Sequence, residues 1–441
     1  MNIKRHFSAM IDTRTSKRIL ALVHKEVVPA IGCTEPMAVA LCTARATEML
    51  GCRPEKIEAL LSANILKNAM GVGIPGTGMT GLPIAIALGA LIGKSEYQLE
   101  VLRDMTPEAL AEGRRFIEEG RIAIGLKKGI SEKLYIEIIA TAGKREVTAV
   151  IAGGHTRFVY TEPWRLSDAR LAELVPEKGA PAESDDIALD LKLVYDFATT
   201  APLDDIRFIL ETRDYNMRAA REAIKGNYGH NLGKTIDRPL SKGILGNSIY
   251  SHMISRTAAA CDARMGGAMI PVMSNSGSGN QGICATNPVC VFAEENENTE
   301  EELIRALMLS HLTAIYIKQS LGRLSALCGC VVASTGSSVG VTYLMGGDYA
   351  RCCAAVKNMV ANLTGMICDG AKPSCSLKLT SGVSTAVLSA LLAMEGKCVT
   401  SQEGIVDDDI DRSIHNLTAI GADAMCITDE MVLNIMTSKG C

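Results

Sequence analysis

Three stretches of this 441-residue chain gather thiols, hydroxyls and amides where glycine frees the backbone. The first is Ser274-Asn275-Ser276-Gly277-Ser278-Gly279-Asn280-Gln281-Gly282. Its glycines let the main chain approach a ligand, and successive amides and hydroxyls can point at an anion. A carboxylate is the guest expected for Asn275, Ser276, Gly277, Ser278 and Asn280. Apolar residues 269–273 and Ile283, Val289 and Phe292 flank the stretch, which argues for a loop inside a domain and against a linker. The other two are Cys328-Gly329-Cys330, running into residues 333–338, and Cys368-Asp369-Gly370-Ala371-Lys372-Pro373-Ser374-Cys375. Structural zinc usually needs paired knuckles, and this spacing supplies no second one. Three or four thiolates drawn from Gly-rich turns suit an iron–sulfur cluster, and three protein ligands to four irons would leave one iron as a Lewis acid. Spacing alone does not decide between a cluster and plain buried thiols.

A proton acceptor has three candidates. Lys67 follows an apparent strand and precedes a glycine run, where an ammonium can be desolvated or can clamp a carboxylate. Cys33 stands just before a helix beginning near Glu35, where the helix N-terminus would lower its pKa. The plainer readings are a surface lysine and a capping turn built on Thr34. His155, after Gly153-Gly154, reads more readily as a structural histidine. One further motif, Gly71-Val72-Gly73-Ile74-Pro75-Gly76, fits the dinucleotide-binding pattern. Pro75 inside its turn, Pro83 in the helix beyond and the lack of a repeating βαβ series argue against that use.

Taken together, the Ser-Gly-Ser-Gly-Asn-Gln-Gly loop, the Gly329-Cys330 turn and the Cys368 to Cys375 segment resemble the α part of iron–sulfur L-serine dehydratases. Gly32-Cys33-Thr34-Glu35-Pro36, followed by Lys67-Asn68 and the glycines of residues 71–78, resembles more specifically the related L-cysteine desulfidases. The likeness runs from about residue 20 to 435. It implies an oxygen-sensitive [4Fe-4S] cluster on Cys330, Cys368 and Cys375, no pyridoxal phosphate, and lyase activity. Serine dehydratases have a longer interval between the last two cysteines and a serine-rich motif where residues 32–36 stand here. L-Cysteine is therefore the expected substrate, with L-serine the alternative.

β-Elimination removes the α-proton and expels the β-substituent, leaving an enamine that hydrolyses to pyruvate and ammonia. A thiol ionises near pH 8.5 and water near 15.7, so hydroxide is the poorer leaving group by about 7 units, or roughly 10 kcal/mol. Lewis acid help matters most for serine, while a soft thiolate suits iron–sulfur chemistry. Cys441 carries a thiol and a free carboxylate, two of the three groups of cysteine, and with Cys33, water or substrate is a candidate to close the fourth iron. Two other classes use the same residues. A pyridoxal-phosphate eliminase would need Lys67 beside Ser278-Gly279-Asn280, which are more than two hundred residues away. A non-catalytic cysteine or redox sensor would need only the cluster.

The elements that must position these groups divide the chain. Up to about residue 165, strand patterns at 56–65, 134–140 and 145–151 mix with helical ones, and residues 143–144 mark a hairpin. Residues 167–186 read as a connector. Helical spacing then dominates at 188–198, 204–224, 245–261, 300–319, 349–363 and 383–394. The expected fold is an α+β N-terminal domain, residues 1–180, followed by an all-α helical catalytic domain, residues 181–441. These correspond to the β and α parts of the dehydratases.

Apolar residues make up 47% of the chain and charged ones 21%, as in folded proteins. A net charge of −4 and 4% aromatics leave no basic face or stacking platform for nucleic acid. The most apolar run, residues 79–93, is too short to span a bilayer and carries Pro83. Without a signal-like amino end, a cytoplasmic location is expected. There the fifteen cysteines should be reduced, with Cys42, Cys52, Cys261, Cys352, Cys353 and Cys398 filling helix cores. The partner is a small amino acid, and a homo-oligomer is compatible with the composition.

Overall fold

Along one strand, Ile136, Ile138 and Ala140 alternate with Glu137, Ile139 and Thr141, which gives the sheet of the N-terminal half two faces. The computed structural model describes residues 11–130, 132–175, 186–322 and 325–438. Its five-stranded sheet runs in the order Ile122–Leu126, Lys56–Leu61, Tyr135–Ala142, Arg145–Ala152 and Phe158–Glu162. Only the first pair is parallel. The expected hairpin is present: Ala142 faces Arg145 across a two-residue turn in which Gly143 takes φ 60°. Helices Thr34–Leu50 and Leu82–Leu91 share a core with the sheet through Leu41, Ile57, Ile84 and Ile138. The chain thus has an α+β N-terminal part and a helical C-terminal part; the boundary expected at residue 180 falls outside the described residues.

Several local readings are corrected. The strand of residues 56–65 stops at Leu61, and Ala63–Ala69 is helical, which moves Lys67 from a strand end onto a helix. Ser62 makes the break: its hydroxyl donates to the Lys133 carbonyl at 2.8 Å and accepts from Tyr135 N–H at 3.2 Å. Pro83 opens its helix instead of interrupting it, since an N-terminal position needs no amide donor. Residues 245–261 divide into Pro239–Leu245 and Ile249–Met265.

The larger correction concerns the stretches rich in glycine and serine. Gly279–Glu295 and Gly329–Leu344 are helices, and only residues before Gly279 and Gly329 form turns. Small side chains serve close packing there. A Cβ on Gly336 would stand 2.2 Å from the Ser310 carbonyl oxygen, and one on Gly340 2.9 Å from that of Ala306. Both carbonyls belong to the Glu300–Leu321 helix. Among the described residues, Cys375–Met394 alone is long and apolar enough to cross a membrane, and half of its most apolar window is buried inside the protein.

Candidate active site

The two halves meet through backbone bonds that bring distant motifs together. Pro29–Ala30 pairs antiparallel with Val272–Met273, Ser274 N–H donates to the Val28 carbonyl at 2.8 Å, and Ser276 N–H donates to that of Glu26 at 2.9 Å. The loop of residues 274–278 therefore lies beside Gly32-Cys33. The glycine run at residues 71–76 is a second seam, with Gly73 N–H on the Met265 carbonyl at 3.0 Å and Gly76 N–H on that of Gly267 at 3.1 Å. A side chain on Gly73 would strike Gly267 N at 2.6 Å. This close approach, and not a dinucleotide, accounts for the motif.

Between the halves lies a cavity of about 490 Å³ whose wall includes Cys328, Cys330, Cys368 and Cys375. Cys330 begins the Gly329–Leu344 helix and Cys375 the Cys375–Met394 helix, while Cys368 stands on the turn that leads into Cys375 from the intervening Tyr349–Leu363 helix. Glycine makes the crowding possible: a Cβ on Gly382 would meet the Cys330 sulfur at 2.6 Å, and one on Gly370, at φ 90°, the Lys67 carbonyl at 2.1 Å. A thiol hydrogen bond from Cys328 holds the Cys368 sulfur down at about 5 against its burial, with Lys67 and Lys378 assisting. Cys330 is pushed up by its hydrogen bond with Cys284 and by burial, and Cys375 by burial.

One sulfur is thus ready as a thiolate, and the others would release protons on taking up metal. As placed, no three His, Cys, Asp or Glu side chains among the described residues stand in ligating geometry. Cys330 Sγ instead donates to the Lys378 carbonyl at 3.0 Å, so it must turn to ligate. Soft donors around one cavity with glycine relief fit an iron–sulfur cluster.

Lys67 is buried, which overturns the surface reading, and is ion-paired with Asp429 of the Cys426–Ser438 helix. Asn64 Nδ2 donates to the other Asp429 oxygen at 2.9 Å. Cys33 does precede a helix, Thr34–Leu50, but its pKa moves opposite to expectation. Burial and the Glu35 carboxylate push the thiol well up, and Cys33 Sγ donates to Glu35 Oε2 at 2.8 Å. Glu35 is a residue the sequence reading passed over. Burial would raise its pKa, but His155, the Cys33 bond and Arg264 hold it below the usual carboxylate value. Glu35, His155, Cys33 and Lys67 all line the cavity.

Of the loop, Ser276, Gly277, Ser278 and Asn280 line the cavity, whereas Asn275 is fully buried and turned into the core. Its Nδ2 donates to the His311 carbonyl at 3.1 Å, and its Oδ1 accepts from Ser276 Oγ at 2.9 Å. Burial pushes His311 down to about 3, so it is a neutral core histidine. Cys352 is core filler, but Cys398 is exposed and Cys52 half-buried beside Arg145. No disulfide occurs among the described residues. Cys441 lies outside them. Gln281, the last polar residue of the loop motif, lines the cavity as well, as does Arg264, and Asp429 joins it through Lys67. Arg264 and Asp429 were unmarked in the sequence, where their only signal is a charge within a helical segment.

A family model for the serine dehydratase alpha chain matches residues 96–434. A UPF0597 protein of Bacteroides thetaiotaomicron is 68% identical over 426 residues, covering 96% of this chain and 98% of its own. One from Phocaeicola vulgatus is 66% identical over 433 residues, 98% of this chain and 100% of its own. A third, from Oleidesulfovibrio alaskensis, is 46% identical over 422 residues, 96% of this chain and 98% of its own. The resemblance to iron–sulfur serine dehydratases read from the motifs is borne out by the family match.

Proposed function

The chain belongs to the serine dehydratase alpha chain family, and from that premise we propose that it converts L-cysteine and water to pyruvate, ammonia and hydrogen sulfide. The reading assigns a [4Fe-4S] cluster to Cys330, Cys368 and Cys375. One observation carries it: the desulfidase-like motif of residues 32–36 contributes Cys33 and Glu35 to the same cavity as those three thiols. When bound, the cluster supplies a Lewis acid that draws off the β-substituent.

The chain's own groups do the rest. Glu35, ionised and held by Cys33 and by Asn68 Nδ2 at 3.3 Å, takes the α-proton at a carboxylate oxygen. Cys33 keeps its proton and aims that carboxylate. Lys67, fixed by Asp429, is a cationic wall beside the Cys368 turn and not a free amine base. Ser276, Gly277, Ser278 and Asn280 of the loop supply further polar wall to the cavity. Loss of sulfide leaves an aminoacrylate, which tautomerises and takes up water to give pyruvate and ammonia.

The test is turnover by anaerobically prepared, iron- and sulfide-reconstituted protein without added pyridoxal phosphate. Sulfide and pyruvate should appear in equal amounts from L-cysteine, with L-serine at least tenfold slower in kcat/KM. Pyruvate from L-serine with no sulfide from L-cysteine would assign the dehydratase reaction instead.

A further inference from the structure

Arg264 ends the Ile249–Met265 helix with its side chain 5% exposed. Its Nε has no hydrogen-bond partner, and its one hydrogen bond among the described residues runs from Nη1 to the Met265 sulfur at 4.0 Å. No ion pair to it occurs among the described residues. The Glu35 carboxylate feels its charge, but Nε remains a buried donor with no hydrogen-bonded acceptor, which costs free energy until one is supplied. Gln281 lines the same cavity, 3% exposed, with its Oε1 equally unpartnered. Each occupies space that a glycine leaves open. A Cβ on Gly279 would lie 2.3 Å from Arg264 Nε, and one on Gly329 2.9 Å from Gln281 Cδ. Glycines of two motifs thus make room for a guanidinium with a free donor and an amide with a free acceptor.

We propose that Arg264 and Gln281 form the receptor for the two charged groups of a small α-amino acid. Arg264 takes the carboxylate through its planar fork, and Gln281 Oε1 accepts from the ammonium. The proposal rests on the amino-acid reading above and deepens it. It moves the carboxylate from the neutral loop side chains to a charged fork. Ser276 Oγ already donates to Asn275, while Ser278 Oγ and Asn280 Oδ1 only accept, from Gln281 N–H at 3.4 Å and Cys261 Sγ at 3.6 Å, so these two remain neutral donors at the side of the guanidinium. A planar fork matches a carboxylate in two bonds, whereas a lysine offers a point charge. Arg264 shares the cavity wall with Glu35 and the thiols, so a carboxylate held there keeps the rest of the ligand in the same cavity as both.

The test is calorimetric binding to cluster-loaded protein of three unreactive probes: L-alanine, propionate and ethylamine. Wild-type protein should bind L-alanine best. Arg264→Gln should weaken L-alanine and propionate at least tenfold and leave ethylamine unchanged, as loss of a charged hydrogen bond requires. Gln281→Leu should weaken L-alanine and ethylamine but spare propionate. Failure of wild-type protein to bind L-alanine, or wild-type affinity for it in Arg264→Gln, overturns the receptor. Should Arg264→Gln not fold, Gly279→Ala, which crowds the guanidinium from the loop side, decides on the same criterion. The two readings separate. Arg264-dependent binding of L-alanine without sulfide from L-cysteine keeps the receptor and ends the elimination. Sulfide formation at an unchanged KM in Arg264→Gln does the reverse.

Discussion

At the scale of single residues, Glu35 concentrates the most chemistry. Thr34 Oγ1 donates to its Oε2 at 3.1 Å beside the Cys33 thiol, so two donors favour the charged form in a buried place. Glu35→Gln should lower turnover at least a hundredfold without lowering bound iron, the range of a lost general base, as read by sulfide release and an iron assay. Stability gives an independent measure. A carboxyl whose folded pKa lies below its unfolded value stabilises the fold at neutral pH and loses that contribution as pH falls through the folded pKa. The variant should therefore be less stable than wild type by about 1–3 kcal/mol at pH 7, with the gap closing below pH 4.5. Urea titrations at both pH values check this. The thiols allow a second expectation. Alanine at Cys330, Cys368 or Cys375 should abolish bound iron and activity together, whereas Cys352→Ala, deep in the helical core, should retain both. The cluster candidates were legible because glycine turns mark them in the sequence. Glu35 was not, because its neighbours Asn68 and His155 join it only through folding.

Helices bear on the same question at the next scale. The Gly329–Leu344 helix is apolar or small on every side, so neither its period nor its glycines separate it from a loop in the sequence. Contact with the Glu300–Leu321 backbone decides it. Gly336→Ala should accordingly destabilise the protein by about 1–3 kcal/mol, because the obstacle is a carbonyl oxygen that cannot turn aside. Gly365→Ala meets nothing within 4 Å and has no positive φ, so it should be neutral or stabilising by up to about 1 kcal/mol. Denaturant midpoints of the two variants make the comparison. Strands followed a clearer signal. The hairpin about Gly143 matched its alternation, while residues 56–65 ran four residues too far because helix formers after Ser62 continue an apolar pattern.

Over the whole molecule, the two halves exchange their terminal helices. Thr13–Glu26 puts Ile19, Leu22 and Val23 into the core of the helical half, and Cys426–Ser438 returns Leu433 to the core under the sheet. The return also delivers Asp429 to Lys67, 362 residues away in sequence. No local pattern announces such a pair, since a lysine in an apolar helix and an aspartate near the chain end each read as solvated. Lys67 is 2% exposed and Asp429 20%, so removing the carboxylate strands an ammonium that water reaches poorly. Asp429→Asn should cost about 3 kcal/mol, the low end for breaking a buried pair because Asp429 keeps some contact with solvent. Replacing both partners by apolar residues, as in Lys67→Met with Asp429→Leu, should recover most of that loss, since no charge is left buried. Turnover should not recover with it, because the cationic wall beside the Cys368 turn is gone. Urea unfolding and sulfide release on the same preparations separate the two effects. Equal stability of Asp429→Asn and wild type would mean that the C-terminal helix does not clasp the N-terminal half in solution.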